Sequence, residues 1–317
     1  MKLVMTKLSV ACLLLLVVAS TSVADPAVMQ LLSRGRMNEA VSVLSNRDDA
    51  ESLNLLSRAY FAMEQWDDAV KCGERALSLE PGNPTYHLWL AREYGRKAGD
   101  SNPLVAAGIA RKAKSEFERA VQLDPASVPA RVDLAQYYTE APAIMGGGLD
   151  KAQAQAEQVA KYDLAKAHLV LARVAEKEKQ YGEAESQLRA GIKDAKNPAD
   201  AWLQLAAFYR NRGRLDDMQN AVQSALGLPS KPAESYFDAA RELYLGSRDF
   251  PGAAQYLQTY LASGQLVEGA PAFRAHYLLG QLAEKMGNGA AAASEYEASL
   301  SLASGFVPAR KALSHVQ

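Results

Sequence analysis

Four histidines and two cysteines, Cys12 and Cys72, are the side chains best suited to metal binding or nucleophilic catalysis. A zinc site needs about four converging nitrogen or sulfur ligands, which two cysteines cannot supply by themselves. A catalytic histidine needs a nucleophile and an orienting group within reach, and no serine, cysteine or carboxylate motif marks such a group here. The sequence therefore predicts no metal, no cofactor and no enzymatic activity, although a site assembled from distant residues would carry no local motif.

A glycine triplet, Gly146 to Gly148, precedes a predicted helix and is the one candidate for phosphate binding. The N-terminus of a helix binds phosphate through its free backbone N–H groups. The known phosphate loops, however, follow a strand and continue as GxGxxG or GxxxxGK[ST]. Neither feature is present, so we interpret the triplet as a turn.

The composition indicates a folded protein whose net charge does not attract polyanions. Of 317 residues, 49% are hydrophobic and 22% are charged, which is close to the average for globular proteins. Lys and Arg number 35 and Asp and Glu number 36. The resulting formal charge of −1 does not favour DNA or RNA as partners.

Residues 1–24 have the organisation of a secretory signal peptide. Lys2 and Lys7 precede an apolar run, and small residues follow the run up to Ala24. The run is shorter than the roughly 20 helical residues that cross a membrane. We therefore expect cleavage after Ala24, a periplasmic or secreted location, and no transmembrane span in the mature chain. A lipid anchor on Cys12 is less favoured, because the three preceding residues lack the leucine of a lipobox.

The rest of the chain is predicted to be all-α, because its apolar residues recur at helical spacing between Gly, Pro and Asn breaks. Residues 50–83 place aromatic, leucine, small and proline residues at fixed positions: Leu53, Leu56, Ser57, Tyr60, Trp66, Ala69, Ala76 and Pro81. This pattern resembles the 34-residue tetratricopeptide repeat (TPR). Gly73 stands where the family usually has Phe, and a glycine inside a helix costs about 1 kcal/mol relative to alanine.

The same frame recurs along the chain, with small residues at Ala91, Ala135, Ala172, Ala206 and Gly280. The resemblance implies a right-handed α-solenoid of stacked helix hairpins, because each hairpin leaves an apolar face for its neighbour. We assign seven repeats to residues 50–305, a degraded first unit to 25–49 and a terminal helix to 306–317. The last two segments are expected to cap the array.

Two insertions interrupt the period, at residues 99–108 and 140–148. Both fall between the two helices of a repeat and are rich in turn-forming residues. We expect the first to lengthen the connection of its hairpin, and both to project along one edge of the superhelix, where they adjoin.

Most histidines and tyrosines have a structural explanation in this frame. His87, His168 and His276 occupy the position that Trp202 holds elsewhere, so we expect them to pack as aromatic side chains. Neighbouring helices lie about 8–10 Å apart, which places equivalent positions of separate repeats too far apart to share a metal. Most tyrosines fall at the repeat's own tyrosine position, which leaves off-frame aromatics such as Trp89 as candidates for carbohydrate binding.

The resemblance also implies that the first helices of the repeats line a concave face that binds extended partners. On this face the family frame places Asn54, Arg58, Trp89, Arg92, Arg96, Arg173, Lys177, Arg210 and Asn211. Its basic side chains predict an acidic peptide or a carboxylate terminus, held by bidentate arginine pairing. The alternative is that these are solvated arginines, paired with glutamates such as Glu93 and Glu176.

These observations predict a non-catalytic scaffold of the bacterial cell envelope that binds an extended or acidic segment of a protein in the concave TPR groove. The alternative is a periplasmic receptor for a small carbohydrate or peptide ligand. The two differ in the size of the partner, because a stable protein interface buries about 1,200 Å² or more.

Overall fold

The computed structural model describes residues 25–317, so the predicted signal peptide of residues 1–24 lies outside the described residues. The described chain consists of α-helices, one short 3-10 turn, and a single isolated bridge between Val267 and Ala270 in place of any strand. The prediction of an all-α solenoid is confirmed. None of the helices in residues 25–317 is both long and apolar enough to cross a bilayer.

Helices α3 to α16 form seven consecutive antiparallel pairs. The first helices of the pairs are α3 (Ala50–Ala62), α5 (Pro84–Asp100), α7 (Val128–Glu140), α9 (Leu164–Lys177), α11 (Pro198–Asn211), α13 (Glu234–Leu245) and α15 (Ala272–Lys285). The second helices are α4 (Trp66–Leu79), α6 (Pro103–Leu123), α8 (Leu149–Val159), α10 (Tyr181–Asp194), α12 (Leu215–Leu226), α14 (Phe250–Ala262) and α16 (Gly289–Leu302). A shorter pair, α1 (Pro26–Ser33) and α2 (Met37–Leu44), precedes them, and α17 (Val307–Val316) follows.

Capping side chains fix the start of most first helices. In five of them a side-chain oxygen of the capping residue accepts a hydrogen bond from a backbone N–H of the first turn; the capping residues are Asp49, Asn83, Ser127, Asp163 and Asn197. This contact satisfies a donor that has no partner within the helix. Proline follows Asn83 and Asn197 directly, at the position where its missing N–H costs nothing.

Small residues let the helices of each pair approach closely, as the repeat frame predicts. The alanines at the small position of the first helices are buried. At Gly280 a Cβ would lie 2.4 Å from the ring of Tyr296, so the site accepts no larger side chain without movement of that ring. Close packing of this kind leaves little room for added atoms.

Three tyrosines at the repeat's tyrosine position join their own unit to the one before it. Their hydroxyls donate to a glutamate on the second helix of the preceding unit, at 2.5 to 2.8 Å: Tyr94 to Glu74, Tyr138 to Glu118 and Tyr209 to Glu185. Burial is the main reason why the pKa values of these tyrosines are raised. These bonds explain why a tyrosine, with a polar tip on an apolar ring, suits the position.

The first insertion does not lengthen the hairpin connection, and that expectation was wrong. Its residues extend both helices, so that α5 has 17 residues, α6 has 21, and only Ser101 and Asn102 separate them. The reason lies in the turn-rich string itself. The Asn102 side chain caps α6 and Pro103 occupies its first turn, which together start a helix.

The second insertion forms a 3-10 turn, Ala143–Met145, followed by the glycine triplet. A Cβ on Gly147 would lie 1.8 Å from the carbonyl oxygen of Ala141, so this close backbone approach requires glycine. Helix α6 contacts the 3-10 turn. This contact joins the helix that the first insertion lengthens to the turn that the second insertion forms, and Leu104 and Ile144, one from each insertion, are exposed.

The two ends of the array pack against each other. Residues of α1 to α3 share one apolar cluster with residues of α15 to α17 and the connection before α17, namely Val28, Leu32, Met37, Leu44, Leu55, Met63, Phe273, Ala303, Phe306 and Ala309. The rings of Phe273 and Phe306 meet edge to face at 5.1 Å. Whether residues 25–49 and 306–317 act as caps stays a prediction, but within the described chain each covers part of the other.

Polar contacts reinforce this joint. The Asn38 side chain donates to the Ser301 carbonyl at 2.9 Å and accepts from the Ser304 backbone N–H at 2.9 Å. The Arg274 guanidinium donates to the carbonyl of Ala62, at the end of α3, at 2.9 Å. It also pairs with Glu64 at 3.0 Å. The solenoid consequently closes on itself and encloses its inner surface.

Candidate partner-binding groove

Closure of the solenoid creates a cavity of ≈ 910 Å³ on the inner surface. Its walls come from α3 and α5 on one side, and from α13, α15 and the α14–α15 connection of residues 263–271 on the other. The lining includes Arg58, Phe61, Trp66, Trp89, Arg92, Arg96, Arg241, Glu268 and Arg274. We call this space the central cavity.

Aromatic rings and guanidinium groups are interleaved on one wall of the central cavity. The ring of Trp89 packs edge to face with Phe61 at 5.8 Å. The guanidinium groups of Arg58 and Arg92 each lie 4.9 Å from the Trp89 ring centre, within the range of cation–π attraction. Arg58, Trp89 and Arg92, all predicted groove residues, are thus brought together.

Three of the predicted groove arginines are already paired with carboxylates. Arg58 binds both oxygens of Glu268. Arg92 donates to Asp133 at 2.6 Å, and Arg210 donates to Glu242 at 2.8 Å. The alternative hypothesis, in which the arginines are paired with carboxylates, therefore describes these three. Their partners lie on other units, however, and are not Glu93 or Glu176.

Arg96, Arg173 and Lys177 form no ion pair with a carboxylate of residues 25–317. Arg96 and Lys177 are exposed, and Arg173 donates to the Gln136 side chain at 3.2 Å. These cations lie on α5 and α9, the first helices of their units. They are the part of the predicted groove with free positive charge, and the groove assignment itself stays a prediction.

The two predicted asparagines differ in accessibility. Asn54 is 3% exposed and its side-chain nitrogen has no hydrogen-bond partner in the described chain, so the expectation that it faces a partner was wrong. The reason lies in the position of α3, which belongs to the joint between the two ends of the array and shares an apolar cluster with α1, α2 and α15 to α17. Asn211 is exposed and accepts a hydrogen bond from Arg210 at 2.9 Å.

A buried carboxyl group lies behind the arginine wall. Glu93 is 0% exposed and neither of its carboxyl oxygens has a hydrogen-bond partner in residues 25–317. Burial raises its pKa to about 8, the negative charge of Glu74 adds to the effect, and the nearby Ser57 hydroxyl opposes it. A Cβ on Gly73 would lie 2.3 Å from the Glu93 carboxyl. The carboxyl group therefore fills the space that opens where the family usually has a phenylalanine.

The histidines bind within their own units. His87 contacts Glu116 at 2.5 Å, His168 contacts Gln187 at 2.6 Å, and His276 contacts Glu295 at 2.8 Å, in each case on the second helix. These contacts are hydrogen bonds that join the two helices of a pair. The prediction that the three histidines pack as aromatic side chains did not include them. Across residues 25–317 no three His, Cys, Asp or Glu side chains lie close enough to hold a metal.

Cys72 is a half-buried free thiol whose pKa is raised to about 11, mainly by burial and next by the negative charge of Glu93. A thiol with a raised pKa is a poor nucleophile at neutral pH. Its surroundings therefore fit the packing role that a lone helical cysteine usually has.

Sequence reasoning missed Glu268 and Arg274, which complete the cavity from the far end of the chain. Both belong to the last repeats, where the α14–α15 connection of residues 263–271 is longer than most other connections of the array. The length of this connection was the feature of the sequence that could have drawn attention to Glu268. Nothing in the repeat frame places this connection against α3, because the contact spans 210 residues.

Models of one repeat family match two parts of the chain. Residues 50–83 match one model of the tetratricopeptide repeat and residues 236–305 match another. No curated protein matches the chain. A thermophilic TPR protein of Thermus thermophilus has a solved structure with 21% identity, a TM-score of 0.45, and coverage of 62% of this chain and 99% of its own. A tetratricopeptide repeat protein of Parabacteroides merdae has 13% identity, a TM-score of 0.44, and coverage of 89% and 98%.

Proposed function

Because the chain is a tetratricopeptide repeat protein, we propose that it is a non-catalytic scaffold that holds an extended or acidic segment of a partner protein against its inner surface. Tetratricopeptide repeats mediate protein–protein interaction. The observation that carries the finer proposal is the set of cations, unpaired within residues 25–317, on the first helices α5 and α9, Arg96, Arg173 and Lys177, of which Arg96 lines the central cavity together with Trp89. Unpaired guanidinium groups bind carboxylates in bidentate geometry.

The proposed setting is the periplasm of a bacterium. The support is the sequence of residues 1–24, with its basic start, apolar run and small residues before Ala24. In this setting the protein would hold one component of an envelope assembly near another.

A crosslinking capture from intact bacterial cells, with a tag placed after Gln317, tests the proposal. Arg96→Glu combined with Arg173→Glu reverses two charges on the first helices of two units. The matched control is Arg119→Glu combined with Lys193→Glu, two exposed cations on the second helices of the same units. We expect proteins captured by the wild type and the control to be lost with the groove variant. Equal capture by both variants would contradict the proposed groove.

The second candidate function is a receptor for a small carbohydrate or peptide. It is favoured by the size and the lining of the central cavity, whose ≈ 910 Å³ is enough to hold a small ligand and whose walls include Phe61, Trp66 and Trp89. A thermal-shift screen with sugars and short peptides separates the two functions. A ligand that binds only the folded state raises the melting temperature, and a rise that Trp89→Ala abolishes would favour the receptor.

A further inference from the structure

The α14–α15 connection delivers a carboxylate to the inner surface from the opposite end of the array. Tyr260, at the base of this connection, is fully buried. Its hydroxyl donates to the Ala270 carbonyl at 2.6 Å and accepts from the Val267 backbone N–H at 3.0 Å. The segment that carries Glu268 is thus held at both sides by one side chain, and it presents the carboxyl group to the central cavity.

Glu268 is bound there as a ligand would be bound. The Arg58 Nε donates to one of its carboxyl oxygens at 2.9 Å, and the Arg58 Nη2 donates to the other. The same guanidinium lies on the Trp89 ring. The side chains are only 12% and 22% exposed, so this pair is less screened by solvent than a surface ion pair. Bidentate pairing supported by an aromatic ring is the geometry with which arginine recognises carboxylates.

Release of Glu268 would not require the ends of the solenoid to separate. The apolar cluster at Phe273 and Phe306, the Asn38 hydrogen bonds and the Arg274 contacts with α3 are all independent of Glu268. A carboxylate from elsewhere would also keep Arg58 paired. The exchange therefore avoids an uncompensated buried charge, which is the main cost of breaking such a pair.

We propose that Arg58 and Trp89 form a carboxylate-recognition site, that Glu268 occupies it as an internal ligand, and that a carboxylate of the partner replaces Glu268 when the partner binds. This inference rests on the proposed function and names the chemistry of its site. The carboxylate comes from an acidic side chain or from a chain terminus. Occupancy by Glu268 lowers the apparent affinity for the partner, because only the fraction of molecules with a vacated Arg58 is competent to bind.

The test is calorimetric titration of residues 25–317 with unlabelled ten-residue peptides of glycine and serine. One peptide has three glutamates and an amidated end, the second has a free terminal carboxylate without acidic side chains, and the third is uncharged and amidated. The protein variants are Glu268→Gln, Arg58→Gln and, as the matched control for loss of one acidic charge, Glu157→Gln. Glu157 is exposed on α8, and circular dichroism checks that each variant is folded.

We expect Glu268→Gln to bind at least one carboxylate peptide about tenfold more tightly than the wild type, within the usual range of such couplings. Glu157→Gln should equal the wild type, the uncharged peptide should not bind, and Arg58→Gln should abolish binding. Comparison of the first two peptides shows whether the carboxylate that binds comes from an acidic side chain or from a chain terminus. Equal affinity of Glu268→Gln and the wild type, or undiminished binding by Arg58→Gln, would overturn the proposal.

The outcomes also separate this inference from the proposed function. If the wild type and Glu268→Gln bind equally, and both lose binding when the charges of Arg96 and Arg173 are reversed, the basic groove for an acidic segment is supported and the exchange at Arg58 is wrong. If none of the variants binds either carboxylate peptide, the acidic-segment function and the exchange both fail.

Discussion

Two buried glutamates on equivalent first helices have opposite surroundings. Glu242 on α13 is 2% exposed and accepts a hydrogen bond from Arg210 of the preceding unit at 2.8 Å. Glu93 on α5 is 0% exposed, faces Gly73, and has no hydrogen-bond partner in residues 25–317. Burial raises the Glu93 pKa to about 8. A carboxyl group is thus tolerated between repeats either because a guanidinium compensates its charge or because it holds a proton.

The largest effect is expected from removal of the guanidinium at Arg210. Arg210→Gln leaves Glu242 buried with Arg241, at 3.7 Å, as its remaining cation. Breaking a buried pair costs about 3 kcal/mol or more, and we expect about 3 kcal/mol here because Arg241 still compensates part of the charge. Urea unfolding at pH 7 measures the loss in the free energy of unfolding. Arg119→Gln is the control, an exposed position where a change within about 0.5 kcal/mol is expected. A similarly small loss for Arg210→Gln would show that Glu242 does not need the pair.

Replacing each of the two glutamates, Glu93 and Glu242, by glutamine should change the free energy of unfolding at pH 8 in opposite directions. The folded-state pKa of Glu93 is raised from 4.5 to about 8. The stability that the protonated Glu93 carboxyl contributes is therefore fully present below about pH 4.5 and is lost as the pH rises to about 8. Between these values the slope is up to about 1.4 kcal/mol per pH unit. Glu93→Gln removes the proton dependence and should be more stable than the wild type at pH 8.

Glu242→Gln should instead be less stable than the wild type, because it discards the charge that Arg210 compensates. Urea unfolding of both variants at pH 5 and pH 8 makes the comparison. An unchanged pH slope in Glu93→Gln would contradict the assignment of that slope to Glu93.

A smaller effect is expected from a methyl group at Gly73. Gly73→Ala gains about 1 kcal/mol of helix propensity, but its Cβ would meet the Glu93 carboxyl at 2.3 Å, and overpacking a core costs about 1–3 kcal/mol. We expect a net loss of about 1 kcal/mol. In a Glu93→Ala background the same change should stabilise the protein, which a double-mutant cycle detects. Additive effects would mean that Gly73 and Glu93 do not share one space.

The repeat frame predicted the helices, because small and aromatic residues at fixed offsets have a direct packing role. It flagged Gly73 as a departure but did not connect it with Glu93, since the two lie on different helices and meet only in the fold. The first insertion was misread because turn-forming residues also cap helices, as Asn102 does. The contact of Arg58 with Glu268 was out of reach, because it depends on the rotation summed over all the intervening units.

The proposed function requires that a partner binds the inner surface of the solenoid. Hydrogen exchange of the protein alone and with a captured partner, read by mass spectrometry, tests it directly. We expect slower exchange in α5 and α9, which carry Arg96, Arg173 and Lys177, and unchanged exchange in α6 and α10 of the same units. Protection confined to α6 and α10 would contradict the proposed function.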